Sequence, residues 1–256
     1  MGKTIAIASG KGGTGKTTIS ANLGVALAKY GKSTIMVDAD LDMANMEFVL
    51  GMEGRPITLQ DVLNGDADLQ DTIYETYEGA KLVPAGISPS QFRRVDSDKF
   101  VKLIDELAKK ADFVLLDCPA GVGKDTATCL SACKETILVI TPEPMSIADA
   151  YKTKALAEKM GSNVIGVIIN MIKGVKNELK EKEITMLLEI PILARIYDDS
   201  IVRECVIAGK PIVKEKPNNK VSIAIFELAT KLTGEPVIIA APQKSFFSRL
   251  FGFFRR

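Results

Sequence analysis

The sequence predicts an α/β fold: a doubly wound, mostly parallel sheet flanked by helices. Three observations carry that expectation. Runs rich in Ile and Val recur along the 256 residues, and they are continuous rather than alternating, the pattern of strands covered on both faces. Each run is followed by a stretch of helical periodicity, the order that builds a parallel sheet from crossover units. The first run leads straight into a glycine-rich loop, Gly10-Lys11-Gly12-Gly13-Thr14-Gly15-Lys16-Thr17, which opens the first helix.

In chain order, strands are expected at residues 4–8, 33–38, 81–84, 113–117, 136–140, 164–170 and 192–197. A helix over 17–30 starts as the loop ends and stops at Gly31, a residue suited to the left-handed position after a helix. Ser97 is expected to cap a helix running to Lys110, and Ser146 another that stops near Gly161. Residues 176–188 and 221–232 are periodic as well. No internal repeat and no interior linker is visible. The character of the chain changes from Gly234, so the organisation expected is a P-loop domain over 1–234, a tether over 235–243 and a tail over 244–256.

Composition removes whole classes of chemistry. The chain has no His, which excludes Ser-His-Asp triads, His-based zinc sites and the usual pH switch. Cys118, Cys129, Cys133 and Cys205 form no C-x-x-C; Cys129 and Cys133, four apart, share a helix face and read as buried small hydrophobes. The start of the chain has no signal-peptide layout, and Ala6 breaks the myristoylation pattern after Gly2. The longest apolar stretch, 164–172, is far short of the ~20 residues of a membrane span. A cytoplasmic location is expected.

The glycine-rich loop fits G-x-x-x-x-G-K-[ST] residue for residue. Its glycines let backbone N–H groups curl around phosphate, and the helix that follows adds its positive N-terminal end. Lys16 is placed to reach the β- and γ-phosphates and the Thr17 hydroxyl to ligate Mg²⁺, with Thr18 beside them. Asp38 and Asp40 stand at and just past the tip of the second strand, and Asp117 at the tip of the strand 113–117. Carboxylates at strand ends beside a triphosphate suit Mg²⁺, so Asp38 and Asp117 are expected to join Thr17 as the metal set, holding the ion's waters. Phosphoryl transfer needs positioning and charge stabilisation, so the lack of His is no obstacle.

The loop carries a second lysine, Lys11, and in that variant it resembles the deviant phosphate loop of the ParA/MinD ATPases, whose first lysine reaches across a dimer to the partner's nucleotide. The resemblance covers most of the chain. Val37-Asp38-Ala39-Asp40 looks like the family's first switch, and Asp117-Cys118-Pro119-Ala120-Gly121 like its second. It implies ATP and Mg²⁺ as cofactors, and catalytic roles for Lys11, Lys16 and Asp40, the last orienting the attacking water. It also implies a γ-phosphate contact at Gly121 and an adenine contact at Asn170, which is expected to end its strand. The chain departs from the family at Tyr197-Asp198-Asp199, where members often show Pro-Glu-Asp; ATP remains the expected nucleotide. Glu143 falls where the family has a nucleotide-side loop and is assigned no role.

The tail holds five of the ten Phe residues of the chain. On a helix, Phe246, Phe247, Leu250, Phe251, Phe253 and Phe254 fall within an arc of about 160°, with Lys244, Arg249, Arg255 and Arg256 on the rest of the circle. A short basic amphipathic helix of this kind reads as a membrane-surface element; docking on the protein's own core or in a partner's groove are the alternatives. Within the family the tail points to the MinD type. That resemblance implies an ATP-dependent homodimer presenting two tails to an anionic membrane, release on hydrolysis, and spatial regulation such as division-site placement. An activating protein or cargo is implied, and no specific nucleic acid. A flagellar-number regulator is the nearest alternative, although the loop at Gly10 leaves no room for the N-terminal extension such proteins carry. A chromosome-partitioning ATPase would need a basic surface, an iron–sulfur carrier a cysteine pair, and a non-enzymatic adaptor also stays open. Four basic residues sit in the tail, so residues 1–243 hold 29 basic and 32 acidic residues, a net −3 beneath an overall +1.

Overall fold

The computed structural model describes residues 1–41, 43–86 and 96–234. The expected tether and tail, with Phe246, Phe247, Leu250, Phe251, Phe253 and Phe254, lie outside the described residues. The strands are β1 (Lys3–Ala8), β2 (Thr34–Asp38), β3 (Tyr74–Glu75), β4 (Lys81–Val83), β5 (Phe113–Asp117), β6 (Glu135–Ile140), β7 (Asn163–Ile172) and β8 (Ile192–Tyr197). They form one sheet in the order β3-β4-β2-β5-β1-β6-β7-β8. Every neighbouring pair is parallel except β3 with β4. The carboxyl ends of the parallel strands therefore share one edge, where ligands of such sheets bind.

The helices are α1 (Lys16–Lys29), α2 (Met46–Leu50), α3 (Leu59–Asn64), α4 (Ser97–Ala108), α5 (Lys124–Ser131), α6 (Pro144–Lys159), α7 (Glu181–Leu188), α8 (Ser200–Ile207), α9 (Ile212–Glu215) and α10 (Lys220–Thr233). They cover both faces. Ile5 and Ile7 of β1 join a core with α1 and α10, including Leu23, Leu27 and Ile225. Ala6 and Ala8, pointing the other way, join a second core with α4 to α6, including Ile104, Leu130 and Ile147. Two buried faces per strand are the physical reason the strand sequences read as unbroken apolar runs.

Several boundaries differ from expectation, each for a local reason. The cap of α4 is Asp96, not Ser97: its carboxylate accepts from the N–H groups of Asp98 and Lys99 at 3.0 and 3.3 Å. Helix α6 begins at Pro144, suited to a first turn by its fixed φ; Ser146 lies inside that turn and its hydroxyl accepts from Thr141 N–H at 3.1 Å. The helix expected over 176–188 starts only at Glu181, because the Glu178 carboxylate accepts from the N–H groups of Lys173 and Gly174, both at 2.8 Å, closing a turn. Strand β7 runs on to Ile172, so Asn170 lies inside it rather than at its end; Met171, just past it, takes a left-handed φ of 57°. Helix α1 follows expectation, with Gly31 at φ 74° just beyond it.

Candidate functional site

The phosphate loop spans the gap between β1 and α1 at the carboxyl edge of the sheet. Its glycines divide by what surrounds them. A side chain on Gly10 would meet the backbone of Asp149 in α6 at 2.4 Å, and one on Gly15 would meet the Asn170 amide nitrogen at 2.4 Å. Gly12 and Gly13 face open space, and Gly13 and Gly15 have φ of 77° and 82°. Gly10 is therefore required by helix packing, whereas Gly12 and Gly13 leave room for a ligand.

Lys16 and Thr17 sit at the start of α1, where a helix N-terminus favours anions. Both reach the same carboxylate. Lys16 Nζ lies 3.2 Å from Asp117 Oδ1, and the Thr17 hydroxyl donates to Asp117 Oδ2 at 2.6 Å. Burial is the largest influence on the Lys16 pKa and pushes it down, but the neighbouring charges, Asp117 foremost with Asp40 further off, together outweigh it and the net shift is upward, so Lys16 stays charged. The Ser20 hydroxyl, one turn further along, lies 2.9 Å from Asp117 Oδ1. Sequence reading missed Ser20, although its spacing from Lys16 and Thr17 puts it on their face of the helix.

Asp38 stands directly beside Asp117 in the paired register of β2 and β5. It is fully buried, and its oxygens accept three backbone N–H bonds: Oδ1 from Asp40 at 3.2 Å, Oδ2 from Asn45 at 3.1 Å and Met46 at 3.0 Å. Asp38 thus pins the loop that carries Asp40. Burial, then the charge of Asp117, raise its pKa from 3.8 to about 7, against the opposing pull of the three amides. Asp40 is half-buried, accepts from Met43 N–H at 3.1 Å, and is close enough to Lys16 to help raise its pKa.

Gly121 takes φ 90° and its N–H donates to the Ser9 carbonyl at 2.9 Å, so the segment after Asp117 is hydrogen-bonded to the residue that leads into the phosphate loop. Lys11, half-buried, pairs with Glu143 Oε2 at 2.7 Å, and this bond lowers the Glu143 pKa. Sequence reading named Glu143 without a role, and no local spacing links residues so far apart. Asn170 is buried and donates its amide N–H to the Thr14 carbonyl at 2.7 Å, clamping the loop to β7. A carbonyl only accepts, so the Asn170 amide is fixed with its oxygen free for another donor. A cavity of about 390 Å³ opens beside it, lined by Gly15, Thr18, Asn170, Tyr197, Asp198 and Arg203 among others.

The donor set suits a hard cation: a hydroxyl and carboxylates, with no soft ligand at the site. The buried Thr14 hydroxyl has no hydrogen-bond partner among the described residues, and the open space at Gly12 and Gly13 suits a phosphate chain. The residues present thus fit Mg²⁺ and a nucleoside polyphosphate. Cys118, Cys129, Cys133 and Cys205 are all buried, as expected of small core hydrophobes; burial raises the thiol pKa values of Cys133 and Cys205, and a hydrogen bond with Cys118, then burial, raises that of Cys129. Among the described residues no group of His, Cys, Asp and Glu forms a separate metal centre, and no helix is long and apolar enough to cross a membrane.

Comparison with known proteins gives a consistent picture. The family model described as CobQ/CobB/MinD/ParA nucleotide binding domain matches residues 5–212. An uncharacterised ATP-binding protein of Methanocaldococcus jannaschii is 45% identical over 234 residues, covering 91% of this chain and 89% of the relative. The septum site-determining protein MinD of Pyrococcus horikoshii, solved in complex with Mg-ADP, superposes with a TM-score of 0.87 at 38% identity over 91% of this chain and 96% of that one. The MinC:MinD cell division protein complex of Aquifex aeolicus contains a chain with a TM-score of 0.82 at 33% identity, covering 92% and 97%.

Proposed function

The chain belongs to the CobQ/CobB/MinD/ParA nucleotide-binding family, and from that premise we propose that it is a MinD-type switch: a magnesium-dependent ATP hydrolase that dimerises on ATP and docks on membrane. The observation that carries the reading is the convergence of Lys16, Thr17 and Asp38 on Asp117, directly beneath the phosphate loop. When bound, Mg²⁺ neutralises phosphate charge and aligns the oxygens of the transfer. Thr17, Asp117 and Asp38 would hold the metal and its waters. Lys16 carries a fixed positive charge for the phosphates. Asp40, tied to the buried Asp38 through its backbone, orients the attacking water. Gly121 follows the γ-phosphate from the second switch. Asn170 offers its carbonyl oxygen to an exocyclic amine, which adenine has at the position where guanine has an oxygen.

Lys11 reaches the partner's nucleotide in the dimer. To do so it must leave Glu143, and an exposed ion pair worth about 0–1 kcal/mol is a small barrier to that move. The chain comprises the ATPase body over 1–234, a tether over 235–243 and a tail over 244–256 whose Phe246, Phe247, Leu250, Phe251, Phe253 and Phe254 enter an anionic bilayer. Two tails on one dimer bind far more tightly than one, through effective concentration. The cellular role is spatial regulation of the MinD kind, with division-site placement favoured by the septum-determining relative and a MinC-like protein as the expected partner chemistry.

ATP turnover and sedimentation velocity test the enzyme half of this reading. Lys16→Ala should abolish Mg²⁺-dependent hydrolysis. Lys11→Ala should bind nucleotide yet stay monomeric with ATP; a dimer that persists would refute the reach of Lys11 to the partner. Retention of plasmid DNA by the ATP-bound protein would instead favour a partitioning ATPase.

A further inference from the structure

Three donors hold the Asp117 carboxylate: Lys16 Nζ at 3.2 Å, the Thr17 hydroxyl at 2.6 Å and the Ser20 hydroxyl at 2.9 Å. They are not equivalent. The function proposed above, on which this inference rests, commits two of them elsewhere: Lys16 to phosphate and Thr17 to the metal. Ser20 has no such competing duty. It is fully buried on the inner face of α1. Its single hydroxyl hydrogen has two acceptors in reach, the Lys16 carbonyl at 3.0 Å and Asp117 Oδ1 at 2.9 Å. The carbonyl already belongs to the helix ladder, whereas a bond to a carboxylate is charge-assisted and about twice as strong as a neutral one. The proton therefore goes to Asp117. Asp117 is itself almost wholly buried, and it lies beside a second buried carboxylate, Asp38. Without a constant donor it would be free to turn once Lys16 and Thr17 engage their ligands.

We infer that Ser20 is the positioning residue for the metal-site carboxylate: it holds Asp117 Oδ1 throughout the nucleotide cycle and leaves Oδ2, released by Thr17, facing the cation. Ser20 touches neither metal nor nucleotide; it acts through Asp117, as partners behind metal ligands do in general.

The test is a magnesium titration on the full-length chain, read by binding of a fluorescent ADP analogue and not by turnover. In EDTA, Ser20→Ala should bind the analogue within about twofold of wild type. The Mg²⁺ concentration that half-saturates the strengthening of binding should rise about tenfold, the usual cost of losing a residue behind a metal ligand. Ser20→Thr, which keeps the hydroxyl, should stay within about twofold of wild type. A Ser20→Ala curve that coincides with a magnesium-responsive wild type would overturn the role of Ser20 alone. An equal loss in Ser20→Thr would assign the effect to packing and overturn it too. A wild type indifferent to Mg²⁺ would overturn the metal reading, and this inference with it.

Discussion

Glycines in the phosphate loop look alike in sequence and do different things. Gly10 gives way to the backbone of α6 and Gly12 gives way to nothing among the described residues. Gly10→Ala should therefore lower the melting temperature, at a cost of about 1–3 kcal/mol for forced overlap in a packed region. Gly12→Ala should melt as wild type does and lose nucleotide-dependent dimerisation. Calorimetry with sedimentation velocity separates the two; equal destabilisation would contradict the division. Asp38 makes a second residue-level prediction. Its pKa rises from 3.8 to about 7 on folding, chiefly through burial and then through Asp117. Between those values the folded protein keeps a proton that the unfolded chain has released. That contribution is complete below about pH 4 and is lost as pH rises through about 7. In EDTA without nucleotide, Asp38 should make the melting temperature fall as pH rises from about 4 to about 7 and add no further slope above that, a fall reduced in Asp38→Asn. A profile unchanged by the substitution would contradict the burial argument. The sequence already marked Gly10, Lys16, Thr17, Asp38 and Asp117, because motif spacing and strand tips are local features. The bonds from Asp38 to three amides, from Lys11 to Glu143 and from Ser20 to Asp117 depend on loop paths and on strand pairing across the sheet, which no local pattern encodes.

At the scale of elements, strand β7 and helix α6 press on the phosphate loop from outside it. Asn170 in β7 clamps the Thr14 carbonyl, and the Gly15 Cα lies too close to that amide for any side chain. Asn170→Ala should lower stability by about 1–3 kcal/mol, the cost of leaving a buried acceptor without its donor. It should also narrow the preference for ATP over GTP in competition binding; an unchanged preference would remove Asn170 from base selection. The strands were legible because burial on both faces makes their apolar runs continuous. Long helices were legible through periodicity and through Gly31. Helices α2, α3, α5, α8 and α9, of four to eight residues, have too few turns to show a period. Capping was read to within one to three residues: it erred by one where two candidate side chains adjoin, at Asp96 and Ser97, and by three at α6, whose cap is Glu143 and not Ser146.

The whole molecule is a mildly acidic body joined to a concentrated cationic segment, residues 1–243 at net −3 and the last thirteen at +4. An acidic body is repelled by an anionic surface, so the membrane attachment proposed above would rest on the tail, where each basic residue is worth about 1 kcal/mol near such lipid. On the function proposed, doubling the tails through a dimer would convert nucleotide state into location. The sheet places the phosphate loop, Asp38 and Asp117 on its carboxyl edge, and the last described helix, α10, ends near the opposite edge, where Lys3 at the start of β1 donates to the Leu232 carbonyl at 3.1 Å. The central claim is the coupling of ATP to membrane attachment, and cosedimentation tests it most directly. Full-length protein is mixed with vesicles rich in phosphatidylglycerol, Mg²⁺ and either ATP or ADP, and then pelleted. The account predicts pelleting with ATP that is lost with ADP, in Lys16→Ala and in a chain ending before Lys244. Equal pelleting with both nucleotides would contradict it.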